Sequence, residues 1–297
     1  MAFQSGCGLE VLGVPWPETY DGDWTLAGVA HRSGIGLHLG QPAEIRLRAT
    51  DQPGFHVSWS DGRSASVSLA PDQVRESQLC TTLDFGHSRL ATVEHLLAAL
   101  AGCGLTHVEI EVSGEEVPLL DGSALGWVEA IAEVGLTPAA TPRLQRPKLE
   151  VPLVCHRGSS VITATPADCF SIVGVIDFPQ PVIGQQMLAI ELTPQRFVDE
   201  LAPARTFGFR EQVEMLRAAG LIQGGALDNA LVCDGDHWLN PPLRYQDEPV
   251  RHKLLDLIGD LALVGFPQAQ VLVYRGSHGL HTDLASALVA VCPSLQP

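Results

Sequence analysis

The chain has 297 residues and a formal net charge of −16, from 18 Lys+Arg against 34 Asp+Glu. With 45% hydrophobic and 18% charged residues it can bury a sizeable core, which excludes whole-chain disorder, and at ~100–200 residues per domain its length suggests two domains or one large one. It has none of the basic surplus with which nucleic-acid binders neutralise phosphates, and no apolar run approaches the ~20 residues of a membrane span.

Met1-Ala2-Phe3-Gln4-Ser5-Gly6 has no basic region before an apolar stretch, so no secretory signal is read and a cytoplasmic protein is expected. Ala43 to Arg48 and His107 to Val112 alternate with period two, as half-buried strands do. Between them, Thr92 to Ala101 reads as a helix with Thr92 as its N-cap and Gly102 as its stop. A second helix follows Asp121-Gly122-Ser123, from Ala124 to about Glu133. Pro138, Pro142, Pro147 and Pro152 then interrupt any periodicity and mark a domain boundary. Ser171 to Phe178 and Gln270 to Tyr274 read as strands, and Phe209 to Ala219 as a helix closed by Gly220. Asp247-Glu248-Pro249 opens a helix reaching about Val264, since acids and proline suit a first turn. Thr282 is expected to cap a last helix ending at Val291. A short echo, Val93-Glu94-His95 against Val250-Arg251-His252, hints at two similar halves. The seven cysteines, Cys7, Cys80, Cys103, Cys155, Cys169, Cys233 and Cys292, form no C-x-x-C pair and read as buried thiols of a reducing compartment.

Four groups of residues carry the chemistry. His252 and Asp256 lie four apart on one predicted helix, so imidazole and carboxylate share a face and can share a metal ion. Asp260 adds an acid one turn further on. The bland alternative is a surface His–Asp pair. Glu94 and His95 are adjacent, diverging by about 100° on a helix. That favours one metal ligand, His95, beside one general base, Glu94; the alternative is a first-turn acid next to a core histidine. His95, His252 and Asp256 together make an N,N,O set without thiolate, which suits a catalytic zinc with one position left for water of pKa ~7; iron(II) is served by the same donors. Ser277-His278-Gly279-Leu280-His281 is expected on a strand-end loop, where a histidine protonates a leaving amine; two histidines three apart also allow a rival ligand assignment. Arg205-Thr206-Phe207-Gly208-Phe209 offers a hydroxyl for a developing oxyanion, or merely a turn with core aromatics.

In this order, several segments resemble the UDP-3-O-acyl-N-acetylglucosamine deacetylase family, zinc enzymes of early lipid A biosynthesis. The segments are Ser33-Gly34-Ile35-Gly36-Leu37-His38, Thr92-Val93-Glu94-His95-Leu96, Glu116 to Ala124, Ala204 to Phe209, Gly220 to Ala230 and Asp247 to Asp260. The resemblance implies an α+β fold of two similar domains, each a layered sheet-and-helix unit with helices packed between two sheets and a small insertion. Its boundaries here would be an N-terminal extension over 1–24, a first domain over 25–137, a Pro-rich linker over 138–147 and a second domain over 148–297. The family's acyl passage would fall in an insertion near 211–222. The resemblance also implies zinc on His95, His252 and Asp256, with Glu94 as base and His278 as the acid for the amine. Thr206 would steady the oxyanion, and Asp260 would orient the catalytic histidine. Lys253 would meet polar and phosphate groups, with Phe178, Phe207 and Arg275 also holding a UDP-linked acylated amino sugar. The implied reaction releases acetate from a monomeric enzyme with no stable membrane insertion. Ser277 and His281 stand where the family usually has Gly and Asn, and Pro179 replaces a polar residue beside Phe178. Rival readings are a zinc amidohydrolase for another acylated sugar and a non-catalytic metal or lipid binder. The intact pair Glu94 and His278 speaks against the binder.

Overall fold

The computed structural model describes residues 14–75, 79–86, 88–143 and 146–292. Among these, two sheets carry the fold. The first contains, in spatial order, Val67–Ser68, Gly54–Trp59, His107–Val112, Pro42–Ala49 and Ala30–Ile35, extended by Trp24–Leu26 and Leu136–Pro138. The second runs Gln185–Glu191, Ser171–Asp177, Ala269–Tyr274, Ser160–Pro166, Leu153–Arg157.

The two sheets share one topology. In each, an opening antiparallel hairpin pairs its second strand antiparallel to the last strand. The last strand lies parallel to the third, which turns antiparallel into the fourth. A helix precedes the last strand, α1 (Glu94–Gly102) in the first half; another follows it, α2 (Leu125–Val134). In the second half a short helix α3 (Pro194–Arg196) and a helix α4 (Arg210–Ala218) come before the corresponding pair, α5 (Glu248–Leu261) and α6 (His278–Val291). The Val-x-His echo thus falls on equivalent helices, α1 and α5. The α+β architecture of two similar halves is as expected. Small three-stranded sheets, one with Val74–Arg75, Thr82–Asp84 and Arg89–Ala91, the other with Phe207–Phe209, Leu231–Asp234 and His237–Trp238, are the insertions.

The central helices follow from their sequences. Every residue of α1 is buried, and α5 leaves only Arg251 and Lys253 partly open. Beyond Glu94 and His95, α1 is apolar all round and belongs between layers; α5 carries His252, Asp256 and Asp260 among its buried apolar residues, and the two pack along each other. Gly259 makes that contact close. A Cβ there would stand 2.0 Å from the Glu94 carbonyl oxygen. Glycine inside a helix costs about 1 kcal/mol against alanine, so close approach is the reason for it.

Several local expectations need correction. Thr92 does not cap α1. It adopts φ +59° and its hydroxyl donates to Glu116, so Val93 takes the cap position without a side-chain bond. Thr282 does not cap α6 either; its hydroxyl back-bonds to the His278 carbonyl inside the helix. The cap is Ser277, whose oxygen accepts the Leu280 N–H. His278 is therefore the first helical residue and not part of a loop. α5 ends at Leu261, three residues short of Val264. The thiols are not uniformly buried: Cys169 is exposed and Cys155 half-buried, while Cys7 lies outside the described residues. No helix of the described residues is long and apolar enough to cross a membrane.

Gly259→Ala is expected to force α1 and α5 apart, lowering the free energy of unfolding by ~1–3 kcal/mol, measured as a lower urea midpoint at unchanged slope.

Candidate active site

The close approach of α1 and α5 brings three side chains to one point. His95 Nε2 lies 3.5 Å and His252 Nε2 3.3 Å from the same oxygen, Asp256 Oδ1. The two imidazole rings stand edge to face, 4.9 Å between centroids. All three residues are buried. The bland alternative of a surface His–Asp pair is thereby removed.

The hydrogen bonds around this cluster leave its centre unfilled. His252 Nδ1 donates to the Ala204 carbonyl at 3.0 Å, which turns the Nε2 lone pair inward. Asp256 Oδ2 accepts from Lys253 Nζ at 2.9 Å. Its other oxygen, Oδ1, is buried without a hydrogen-bond partner. A buried carboxylate oxygen so placed is costly unless a cation meets it. Burial pushes the His252 imidazolium down to about 3, so the ring is neutral and free to ligate. Burial opposes ionisation of Asp256, but His252 and then Lys253 outweigh it and hold the carboxyl well below its usual range. Two imidazoles and one carboxylate fit a divalent metal with a side left open. The ligand atoms lie within 4.8 Å of one another.

Glu94 and Asp260 stay out of this cluster. One helix position before His95, Glu94 turns aside, as the divergence of adjacent residues requires. Its Oε2 accepts the Thr81 N–H at 2.9 Å, and Oε1 lies 4.0 Å from His278 Nε2. Burial raises the Glu94 pKa, against the pull of His278 and His95. Asp260, one turn beyond Asp256, accepts His278 Nδ1 at 2.9 Å and His281 Nδ1 at 2.8 Å on the same oxygen. Burial alone would lower the His278 imidazolium, but Asp260 and then Glu94 outweigh it and hold it up at about 9. A cation at the first position of a helix opposes the dipole there, and Asp260 supplies the compensation.

A cavity of about 1050 Å³ opens over these groups. Glu94, His95, Thr206, Phe207, His252, Lys253, Asp256, His278 and Phe178 line it. Phe178 and Phe207 meet edge to face at 5.4 Å, and Lys253 Nζ sits 5.6 Å from the Phe207 ring centre. Segment 211–222 contributes Val213, Leu216 and Ile222 to the wall. Asp260 stands behind His278 and does not line the cavity. Nor does Arg275, which is paired with Asp177 at 2.5 Å.

Residues that the sequence did not single out hold these groups in place. Glu248 is fully buried and accepts the Arg244 N–H at 2.6 Å, the Arg205 N–H at 3.0 Å and Arg205 Nε at 2.9 Å. It thereby ties the 204–206 segment, which carries both the Ala204 carbonyl and Thr206, to the first turn of α5. The Thr206 N–H donates to the Gly122 carbonyl at 2.7 Å, a link to the first half. Thr81 bridges Glu94 and Asp260 through its N–H and its hydroxyl. Glu248 reads from sequence as a first-turn acid, and Thr81 sits in an unremarkable Cys-Thr-Thr run.

A profile of the UDP-3-O-acyl N-acetylglycosamine deacetylase family matches residues 23–290. A protein of Thermosynechococcus vestitus named UDP-3-O-acyl-N-acetylglucosamine deacetylase is 48% identical, covering 89% of this chain and 93% of its own. One of the same name from Synechocystis sp. is 49% identical over 86% of this chain and 94% of its own. A protein of Arabidopsis thaliana named as a probable mitochondrial deacetylase of this kind is 39% identical, covering 89% of this chain and 87% of its own. With a family match over most of its length and relatives of this identity, the chain belongs to the UDP-3-O-acyl-N-acetylglucosamine deacetylase family.

Proposed function

We propose that the buried cluster of His95, His252 and Asp256, with Glu94 and His278 beside it, is where the family's deacetylation of UDP-3-O-acyl-N-acetylglucosamine takes place. The chain is an amide-hydrolysing deacetylase of lipid A biosynthesis, and the residue roles and the metal are what we assign. The observation that carries the assignment is Asp256 Oδ1, buried and unpaired opposite two imidazole nitrogens. His95 Nε2, His252 Nε2 and Asp256 Oδ1 would hold the ion, zinc in our assignment with iron(II) served by the same donors. A divalent cation there supplies Lewis-acid polarisation and a more acidic water.

The remaining work falls to the chain's own groups. Glu94 takes a proton from the attacking water; its burial raises its basicity. The Thr206 hydroxyl donates to the oxygen that gains charge as the acetamide carbonyl becomes tetrahedral. His278, held protonated by Asp260, hands its Nε2 proton to the departing sugar amine. Acetate and UDP-3-O-acyl-glucosamine leave. Acid–base steps of this kind contribute ~10²–10⁴-fold each. Phe178, Phe207 and Lys253 grip the UDP portion, Arg275 can join them only by leaving Asp177, and the apolar wall of 211–222 receives the acyl chain. We assign the reaction to a cytoplasmic monomer.

Three outcomes test these roles. His252→Ala should lose bound metal and acetate release together, measured by metal analysis and a deacetylation assay on one preparation; full metal with full rate would remove the ligand assignment. The acid role requires a protonated His278. Its contribution is therefore complete well below its pKa and lost as pH rises through about 9, so kcat/KM should fall on the alkaline side with a limb near that value. Glu248→Ala should destabilise the fold by ~1–3 kcal/mol by leaving the half-buried Arg205 without its carboxylate. Where it still folds, it should lower kcat more than a surface Glu→Ala change does.

A further inference from the structure

We infer that His281 is a positioning residue for the proton donor His278, acting through the Asp260 carboxylate that the two imidazoles share. The inference rests on the assignment of His278 as the acid. Asp260 is buried, and its Oδ2 receives Nδ1 of His278 at 2.9 Å and Nδ1 of His281 at 2.8 Å. Its Oδ1 receives the Thr81 hydroxyl, whose oxygen also stands 3.1 Å from His278 Nδ1. A carboxylate only accepts, so both imidazoles carry hydrogen on Nδ1. That fixes His278 with Nε2 toward Glu94 and the cavity.

His281 could also join Asp260 and His278 around a cation, their ligand atoms lying within 4.8 Å of one another, but the Nδ1 atoms of both rings are already spent on Asp260. His281 is 1% exposed, lies on the first turn of α6, and its Nε2 has no hydrogen-bond partner among the described residues. Space for the ring exists because residue 276 is glycine; a Cβ there would stand 2.6 Å from Nε2. An apolar side chain would fill such a site without an orphaned nitrogen. The one bond that the imidazole makes goes to the oxygen that orients His278.

Two donors on Oδ2 pin the carboxylate from both sides, so it cannot swing with one ring. They also divide its hydrogen-bonding capacity between the rings. The charged groups facing His278 are Asp260 and Asp256 from α5 and Glu94 from α1; Lys253 of α5 is held on Asp256. Arg157, from the strand Leu153–Arg157, approaches Gly279 and pairs with Asp283 of α6. Removing the His281 donor leaves Asp260 more strongly directed at His278 alone, which favours the imidazolium and moves its deprotonation to higher pH. The same change frees the Asp260 carboxylate to swing together with the His278 ring, which costs rate.

The test is the pH profile of kcat/KM for full-length metal-loaded protein, with metal content and melting temperature on each sample. His281→Leu and His281→Gln both lose the donor at the Nδ1 position. Each should move the alkaline limb up by about half a pH unit and lower kcat about tenfold, with KM within about twofold and metal unchanged. His281→Asn places an amide N–H where Nδ1–H stands and should restore the limb and most of the rate. His278→Gln separates the two layers. If the alkaline limb survives in it, the acid assignment falls and the inference with it. If the limb is lost there but stays in place in both His281→Leu and His281→Gln, only the inference falls. A lower melting temperature alone, equal in all three His281 variants, likewise overturns it; should His281→Leu not fold, the Gln and Asn pair decides.

Discussion

The molecule depends on two buried helices from its two halves lying close enough for backbone to touch backbone. Gly259 of α5 against the Glu94 carbonyl of α1 is the point of closest approach. The three ligands and Glu94 sit within two turns of it. His95 follows Glu94, while His252 and Asp256 precede Gly259 and Asp260 follows it. The repeated topology explains why such a contact exists. Each half buries one face of its sheet under a helix, and stacking the halves buries the other side of both helices. A site made this way needs no loop to bring its imidazoles together, since their separation is set by packed helices.

Charge is then sorted along α5. Asp256 and Asp260 are one turn apart and chemically identical, yet their neighbours divide them. Asp256 meets two imidazole nitrogens and a lysine and keeps one oxygen unpaired. Asp260 is saturated by Thr81, His278 and His281 and makes no contact with the ligand cluster. The two histidine environments diverge accordingly: His252 is neutral from burial, and His278 stays charged because Asp260 and Glu94 outweigh burial. The assigned roles require this difference at one pH, a neutral imidazole to ligate and a charged one to give up a proton.

Much of this was legible in the chain. The i, i+4 spacing of His252 and Asp256 placed both on one face, and the 100° divergence of Glu94 and His95 separated base from ligand. Period-two runs at 43–48 and 107–112 fell on strands. Helix starts were less legible, because capping depends on backbone angles. Thr92 has the right side chain for a cap, but its left-handed φ sends the hydroxyl to Glu116. Ser277 reads from sequence as part of a strand-end loop, because it lies between the strand to Tyr274 and a helix expected to begin at Thr282. Glu248 and Thr81 are not legible for another reason: their bonds to Arg205 and Asp260 span 43 and 179 residues of sequence, and no local pattern encodes such bonds. Arg275 illustrates the converse, since pairing with Asp177 at the surface follows from no spacing rule.

The most direct measurement is X-ray absorption at the metal edge of zinc-loaded protein. The account predicts a shell of nitrogen and oxygen only, at about 2.0–2.2 Å, with the outer scattering of two imidazoles. A sulfur at about 2.3 Å, or the scattering of more than two imidazoles, would mean that the ion sits elsewhere and would contradict the convergence of α1 and α5 as the origin of the site.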